Sequence, residues 1–114
     1  VVFADKIESI DIERIGPLFE NAPIFPERTN TEFVRVVNRN ILKMRVYERG
    51  NGETNACGTG ACAAVAAAIE NGLCSANETV TVKTRGGDLL VKYTYDNIFL
   101  TGNAEMIFTG TTEF

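Results

Sequence analysis

Ala61-Cys62-Ala63-Ala64-Val65-Ala66-Ala67-Ala68-Ile69-Glu70 is a run of small apolar residues with its single charge at the end. Alanine is the best helix former, and a helix that is apolar on nearly every side cannot lie on a surface. A helix over 61–70, buried on most sides, is therefore expected, with Asn71-Gly72 as its C-terminal stop. Side chains this small let neighbouring strands close tightly around it.

Directly upstream stands Gly52-Glu53-Thr54-Asn55-Ala56-Cys57-Gly58-Thr59-Gly60, a glycine-rich turn that places Cys57 at the start of the helix. The positive end of a helix dipole and its backbone N–H groups favour a thiolate there, and the flanking glycines leave room for a substrate carboxylate to reach the main chain. Most single cysteines are instead small buried hydrophobes. That reading suits Cys62, inside the helix, and Cys74, beyond its stop, whereas the glycine setting of Cys57 favours chemistry. Glycine-rich loops also cradle phosphates, but no lysine follows this one and the Walker spacing is absent, which argues against a nucleotide site.

Beyond the helix, 79–84, 88–95, 98–102 and 105–109 alternate apolar and polar residues between Gly86-Gly87, Asp96-Asn97 and Gly102-Asn103, the pattern of an antiparallel meander. Before the glycine turn, 33–37 and 41–47 are rich in β-branched and aromatic residues, with Asn38-Arg39-Asn40 between them, and read as a hairpin. Its second strand delivers Glu48 and Arg49 to the edge of the glycine loop. Residues 1–4 read as a short strand. Asp11 is placed to cap a helix that carries Ile12, Ile15, Leu18 and Phe19 on one face and ends at Asn21-Ala22-Pro23. An irregular loop is expected over 24–30, where Pro23 and Pro26 interrupt regular structure. The expected class is α+β: a largely antiparallel mixed sheet or barrel wrapped around a central buried helix.

With 114 residues, 45% of them hydrophobic, the chain supports one core, so 1–114 is expected to be a single domain. A net charge of −4 leaves no basic stripe to track a phosphate backbone, and nucleic acid is not an expected partner. Three cysteines and no histidine match no zinc pattern. Reduced thiols, the lack of any run of about 18 apolar residues, and the lack of a charged-then-apolar leader point to a cytoplasmic protein without a membrane partner. The opening Val1-Val2-Phe3 reads as the middle of a buried strand, so the chain is expected to be a piece of something larger.

Three blocks carry a family resemblance: Phe25-Pro26-Glu27-Arg28-Thr29-Asn30, Val46-Tyr47-Glu48-Arg49-Gly50, and the stretch from Gly52 to Gly60. In order and spacing they resemble the C-terminal half of diaminopimelate epimerases. Gly86-Gly87-Asp88-Leu89 and Leu100-Thr101-Gly102-Asn103-Ala104-Glu105 are weaker echoes, the family usually having proline at the position of Asn103. The resemblance implies a two-domain isomerase of lysine and peptidoglycan precursor synthesis, with each domain supplying one cysteine to a cleft between them. One thiolate removes the α-proton while the other thiol protonates the opposite face, interconverting LL- and meso-diaminopimelate with no cofactor, neither pyridoxal phosphate nor a metal.

Position by position, the resemblance makes Cys57 the C-terminal catalytic cysteine. Asn30, Glu48 and Arg49 match residues that hold the substrate's amino and carboxylate groups, and Gly58 and Thr59 match main-chain donors to the α-carboxylate. Read without it, Glu48-Arg49 is a solvated charge pair worth about 0–1 kcal/mol, and Asn30 a turn residue. The first cysteine and the family's Gly-Asn-Pro-His segment have no counterpart here, so the N-terminal half is absent and this chain alone is expected to be inactive. Its partners are a small amino-acid substrate, the missing half and, through the face that half would cover, a homodimer. The alternatives are another cofactor-independent racemase, such as a proline racemase, and a non-catalytic binding module on the same fold.

Overall fold

β-branched and aromatic side chains fit a pleated, half-buried surface, and in the computed structural model the described residues build one sheet of eight strands. The structure describes residues 1–24, 29–55, 58–94, 97–102 and 105–111, with the backbone alone at 102 and 105–111. Thr31–Asn38 (β2) and Ile41–Glu48 (β3) form the expected hairpin, from Thr31↔Tyr47 to Asn38↔Ile41 with an irregularity between Val36 and Asn38. Its turn is pinned by Asn38, whose Oδ1 accepts the Asn40 N–H at 2.8 Å. Val2–Phe3 (β1) lies parallel to β2.

Gly52–Thr54 (β4), a strand too short to show in the alternation of residues, folds back antiparallel on the end of β3 through Val46↔Thr54, Tyr47↔Glu53 and Glu48↔Gly52. The expected meander follows as Thr79–Thr84 (β5), Gly87–Tyr93 (β6), Asn97–Gly102 (β7) and Glu105–Thr111 (β8), each antiparallel to the next. Tyr95, expected to end the second strand of the meander, lies outside the described residues. β5 enters the sheet parallel to β3, from Ile41↔Thr81 to Lys43↔Lys83. One edge of β3 is thus shared, with β5 along its first half and β4 along its second.

The alanine-rich run forms Gly58–Glu70 (α2) on one face of this sheet. Ala61, Cys62, Ala64, Val65 and Ala68 pack into one core with Val34, Leu42, Met44, Val46, Val80, Val82, Val91 and Leu100. Burying each of the larger side chains contributes about 1.5–3 kcal/mol before entropy is counted. The helix stops where Gly72 turns to φ +71. There Leu73 N–H reaches Ala68 O at 2.8 Å and Gly72 N–H reaches Ile69 O at 3.0 Å, a Schellman ending.

Ile12–Glu20 (α1) covers the opposite face, where Ile7, Ile12, Phe33 and Tyr47 form a second core. Its contact stripe differs from the expected one. Ile12, Gly16 and Glu20 are buried, whereas Leu18 is 66% and Phe19 36% exposed. The reason is Gly16: without a side chain it lets α1 sit against the Tyr47 ring, and a Cβ there would run into the ring atoms. Phe19 keeps only an edge-on contact with Phe33, ring centres 5.8 Å apart. Asp11 does occupy the N-cap position, but its side chain makes no capping hydrogen bond and stands 3.6 Å from Arg14 Nε instead. Among the described residues no helix is long and apolar enough to cross a membrane.

Candidate active site

β3 ends in a tight turn. Glu48 O accepts the Asn51 N–H at 3.0 Å, and Gly50 stands at φ +79, a conformation that glycine adopts without strain. The N–H groups inside the turn are received from elsewhere: Arg49 N–H donates to Asn30 Oδ1 at 2.6 Å, and Gly50 N–H to Glu20 Oε2 at 3.0 Å. Three expected site residues, Asn30, Glu48 and Arg49, are thereby brought together, Glu48 half-buried and Arg49 exposed.

Alternation along β3 puts Glu48 on the same face as Met44 and Val46, which pack against α2. Glu32 lies on that face of β2 beside Val34 and is 8% exposed. Burial pushes the Glu32 carboxyl above its ordinary value, and the nearby Glu48 charge acts in the same direction.

Across β4 the pattern reverses face. Glu53 meets Arg45 on the α1 side through Nε to Oε2 at 2.8 Å and Nη2 to Oε1 at 3.0 Å. Arg85 Nη1 adds a contact to Glu53 Oε1 at 2.9 Å, and Arg45 Nη1 donates to Ile7 O at 2.7 Å and Ile10 O at 2.9 Å. The Arg45 hydrogen bonds hold the Glu53 carboxyl below its ordinary value, and Glu53 raises Arg45 in turn. Two residues on, Gly86 N–H donates to Asn55 O at 2.9 Å. The segment leading into the glycine loop is therefore tied to β3 and to the β5–β6 turn. Nothing in the sequence pattern set Glu53 apart from its motif neighbours or singled out Glu20 within its helix.

Cys57 and Ala56 lie outside the described residues. The residue after them, Gly58, opens α2, so the positive end of the helix dipole falls at Gly58 and Thr59. Gly58 is packed closely: an added Cβ would stand 2.8 Å from Leu100 Cδ2. Thr59 is exposed. Cys62 and Cys74, at 8% and 3% exposure, belong to the core as expected, and burial pushes the Cys74 thiol up.

A family model described as diaminopimelate epimerase matches residues 1–107. The chain belongs to the diaminopimelate epimerase family. It is 50% identical over 112 residues to the diaminopimelate epimerase of Agathobacter rectalis, covering 96% of this chain and 39% of that relative. With the Nostoc punctiforme diaminopimelate epimerase it shares 47% over 112 residues, again 96% of this chain and 39% of the relative. The chain thus spans 39% of the length of these curated relatives. Among solved structures, a phenazine biosynthesis protein of the PhzF family from Bacillus anthracis superposes with a TM-score of 0.62 at 22% identity, over 86% of this chain and 32% of that one. That likeness is one of fold, and it agrees with the α+β class. In this diaminopimelate epimerase family chain, the expected binding residues fall in two groups, Asn30, Glu48 and Arg49 around the β3 turn and Gly58 and Thr59 at the start of α2.

Proposed function

We propose that this chain is the C-terminal half of a diaminopimelate epimerase, with Cys57 one of two cysteines that act on opposite faces of the substrate α-carbon. The observation that supports it most is the opening of α2 at Gly58, directly after Cys57. A helix start beside a cysteine lowers the thiol pKa and suits a bound carboxylate.

An α-proton beside a carboxylate is weakly acidic, so its removal needs a close base and stabilisation of the charge that develops. In this mechanism the Cys57 thiolate takes the α-proton, and the C–H electron pair moves into the α-carboxylate, which gains enediolate character. Main-chain donors at Gly58 and Thr59 bind that carboxylate more strongly as its charge grows. The thiol of the second cysteine, from the N-terminal half, then gives its proton to the other face, leaving Cys57 protonated and its partner a thiolate. The reverse direction exchanges their roles.

Substrate recognition falls to the β3 turn. Arg49 suits a two-pronged grip on a carboxylate and Glu48 accepts from an ammonium. Asn30 has its Oδ1 committed to the Arg49 N–H, so it offers its Nδ2 donors to the substrate, which suits a carboxylate oxygen. Because the second base lies on the other half, the isolated chain does not epimerise.

The test is conversion of LL- to meso-diaminopimelate, with solvent deuterium incorporation at the α-carbon, by the protein carrying both halves. Cys57→Ala is expected to abolish conversion. Retained activity in that variant, or turnover by the isolated 114-residue chain, would refute the reading.

A further inference from the structure

We propose that Glu20 is a positioning residue for substrate recognition: its buried carboxylate fixes the turn that presents Glu48 and Arg49, and so sets substrate affinity without taking part in proton transfer. This rests on the reading of Glu48 and Arg49 as substrate-binding residues.

Glu20 closes α1, the end of a helix where the dipole is negative and a carboxylate is least welcome. It is nonetheless 6% exposed. Carboxylates are buried only against specific partners, and an apolar residue would fill the site at less cost. Glu20 Oε2 accepts the Gly50 N–H at 3.0 Å from 30 residues away in the chain.

The helix that carries this carboxylate is itself packed closely on the sheet. Ile12, Gly16 and Glu20 form its buried stripe, and Gly16 is seated on the ring of Tyr47, the residue immediately before Glu48. α1 therefore grips the end of β3 at Tyr47 and again, one helical turn on, at Gly50. With Asn30 on the Arg49 N–H, successive main-chain groups of the turn are fixed from two separate segments. The glycine loop is held independently, by Glu53 to Arg45 and by Asn55 to Gly86. Loosening Glu20 should disturb recognition and spare the proton-transfer residues.

The experiment is steady-state kinetics on diaminopimelate with the protein carrying both halves, comparing Glu20→Gln, which keeps an acceptor oxygen, Glu20→Asp, which withdraws it by one methylene, and Glu20→Ala. The expected result is a KM within about threefold of wild type for Glu20→Gln, about tenfold higher for Glu20→Asp and higher again for Glu20→Ala, with kcat changed by less than about threefold throughout. Thermal unfolding identifies the folded variants, and the Gln–Asp comparison stands if the alanine variant does not fold. A folded Glu20→Asp with wild-type KM, or one that loses kcat at unchanged KM, overturns the proposal. Failure of the underlying reading looks different: the wild-type protein would not turn over diaminopimelate, or Arg49→Ala would leave KM unmoved.

Discussion

Arg45 and Glu53 meet side-on across β3 and β4, at 2.8 and 3.0 Å, although Glu53 is the register partner of Tyr47. The contact is a diagonal one between residues on the same sheet face. With side-chain exposures of 18% and 8%, it is shielded from solvent, and removing one partner strands the other charge. Glu53→Gln is expected to cost about 2–4 kcal/mol, read by urea unfolding at neutral pH. Because the folded carboxyl titrates below its ordinary value of 4.5, its stabilisation is full above that pH and is lost as pH falls through the folded value. The variant's acid limb should be correspondingly flatter. An equally steep limb would show that Glu53 is not the group responsible.

The three cysteines should separate by reactivity. Cys62 and Cys74 are buried, and the Cys74 thiol is pushed up by burial. Cys57 is expected to alkylate with iodoacetamide faster than either, and at lower pH, as followed by peptide mass spectrometry. Simultaneous slow labelling of all three would remove the case for an activated thiol.

Gly16 and Gly58 are both positions of close approach, but with different neighbours. A methyl at Gly16 enters the aromatic ring of Tyr47, whereas one at Gly58 meets the tip of Leu100. Overpacking typically costs about 1–3 kcal/mol, and Gly16→Ala is expected at or above the upper end and Gly58→Ala nearer the lower. Chemical denaturation of the pair reverses this order if Leu100, 3% exposed, is the less yielding neighbour.

Glu32 offers the opposite pH sign from Glu53. Its folded carboxyl is raised, first by burial, so the native state holds the proton more tightly and the ionised form weakens folding above the ordinary glutamate range. Glu32→Gln, similar in shape but uncharged, is expected to raise stability at pH 8 and to leave it nearly unchanged at pH 4. Thermal melts at the two values decide it; a loss at pH 8 would mean that the carboxylate serves a favourable contact.

What could be read from residue order was the local part. The β2–β3 hairpin, α2 with its Gly72 stop, and the meander all follow from patterns of a few neighbouring residues. The long-range pairings do not: that β5 joins β3 in parallel, or that β1 lies beside β2, depends on partners decades of residues apart. α1 shows a subtler limit. Its apolar periodicity through Leu18 and Phe19 was real, but a glycine against a ring allowed closer packing than a leucine face, and the helix turned to use it. Of the candidate site, Asn30, Glu48 and Arg49 were legible as a motif and do converge, while Glu20, bonded to the Gly50 N–H of the turn, and Glu53, which ties down the segment before the glycine loop, are charged residues whose burial no local pattern announces.

The shared edge of β3 carries a rule for tolerated chain length. Adding one residue between Gly50 and Gly52 would slide the short return strand by a step, swinging Glu53 from the α1 side of the sheet to the α2 side and Thr54 the opposite way, and parting the carboxylate from its two arginines. The connection over 71–78 fixes no such parity, because β5 is indexed separately along the first half of the same strand. Length variation among natural sequences should therefore collect in the second connection and be purged from the first.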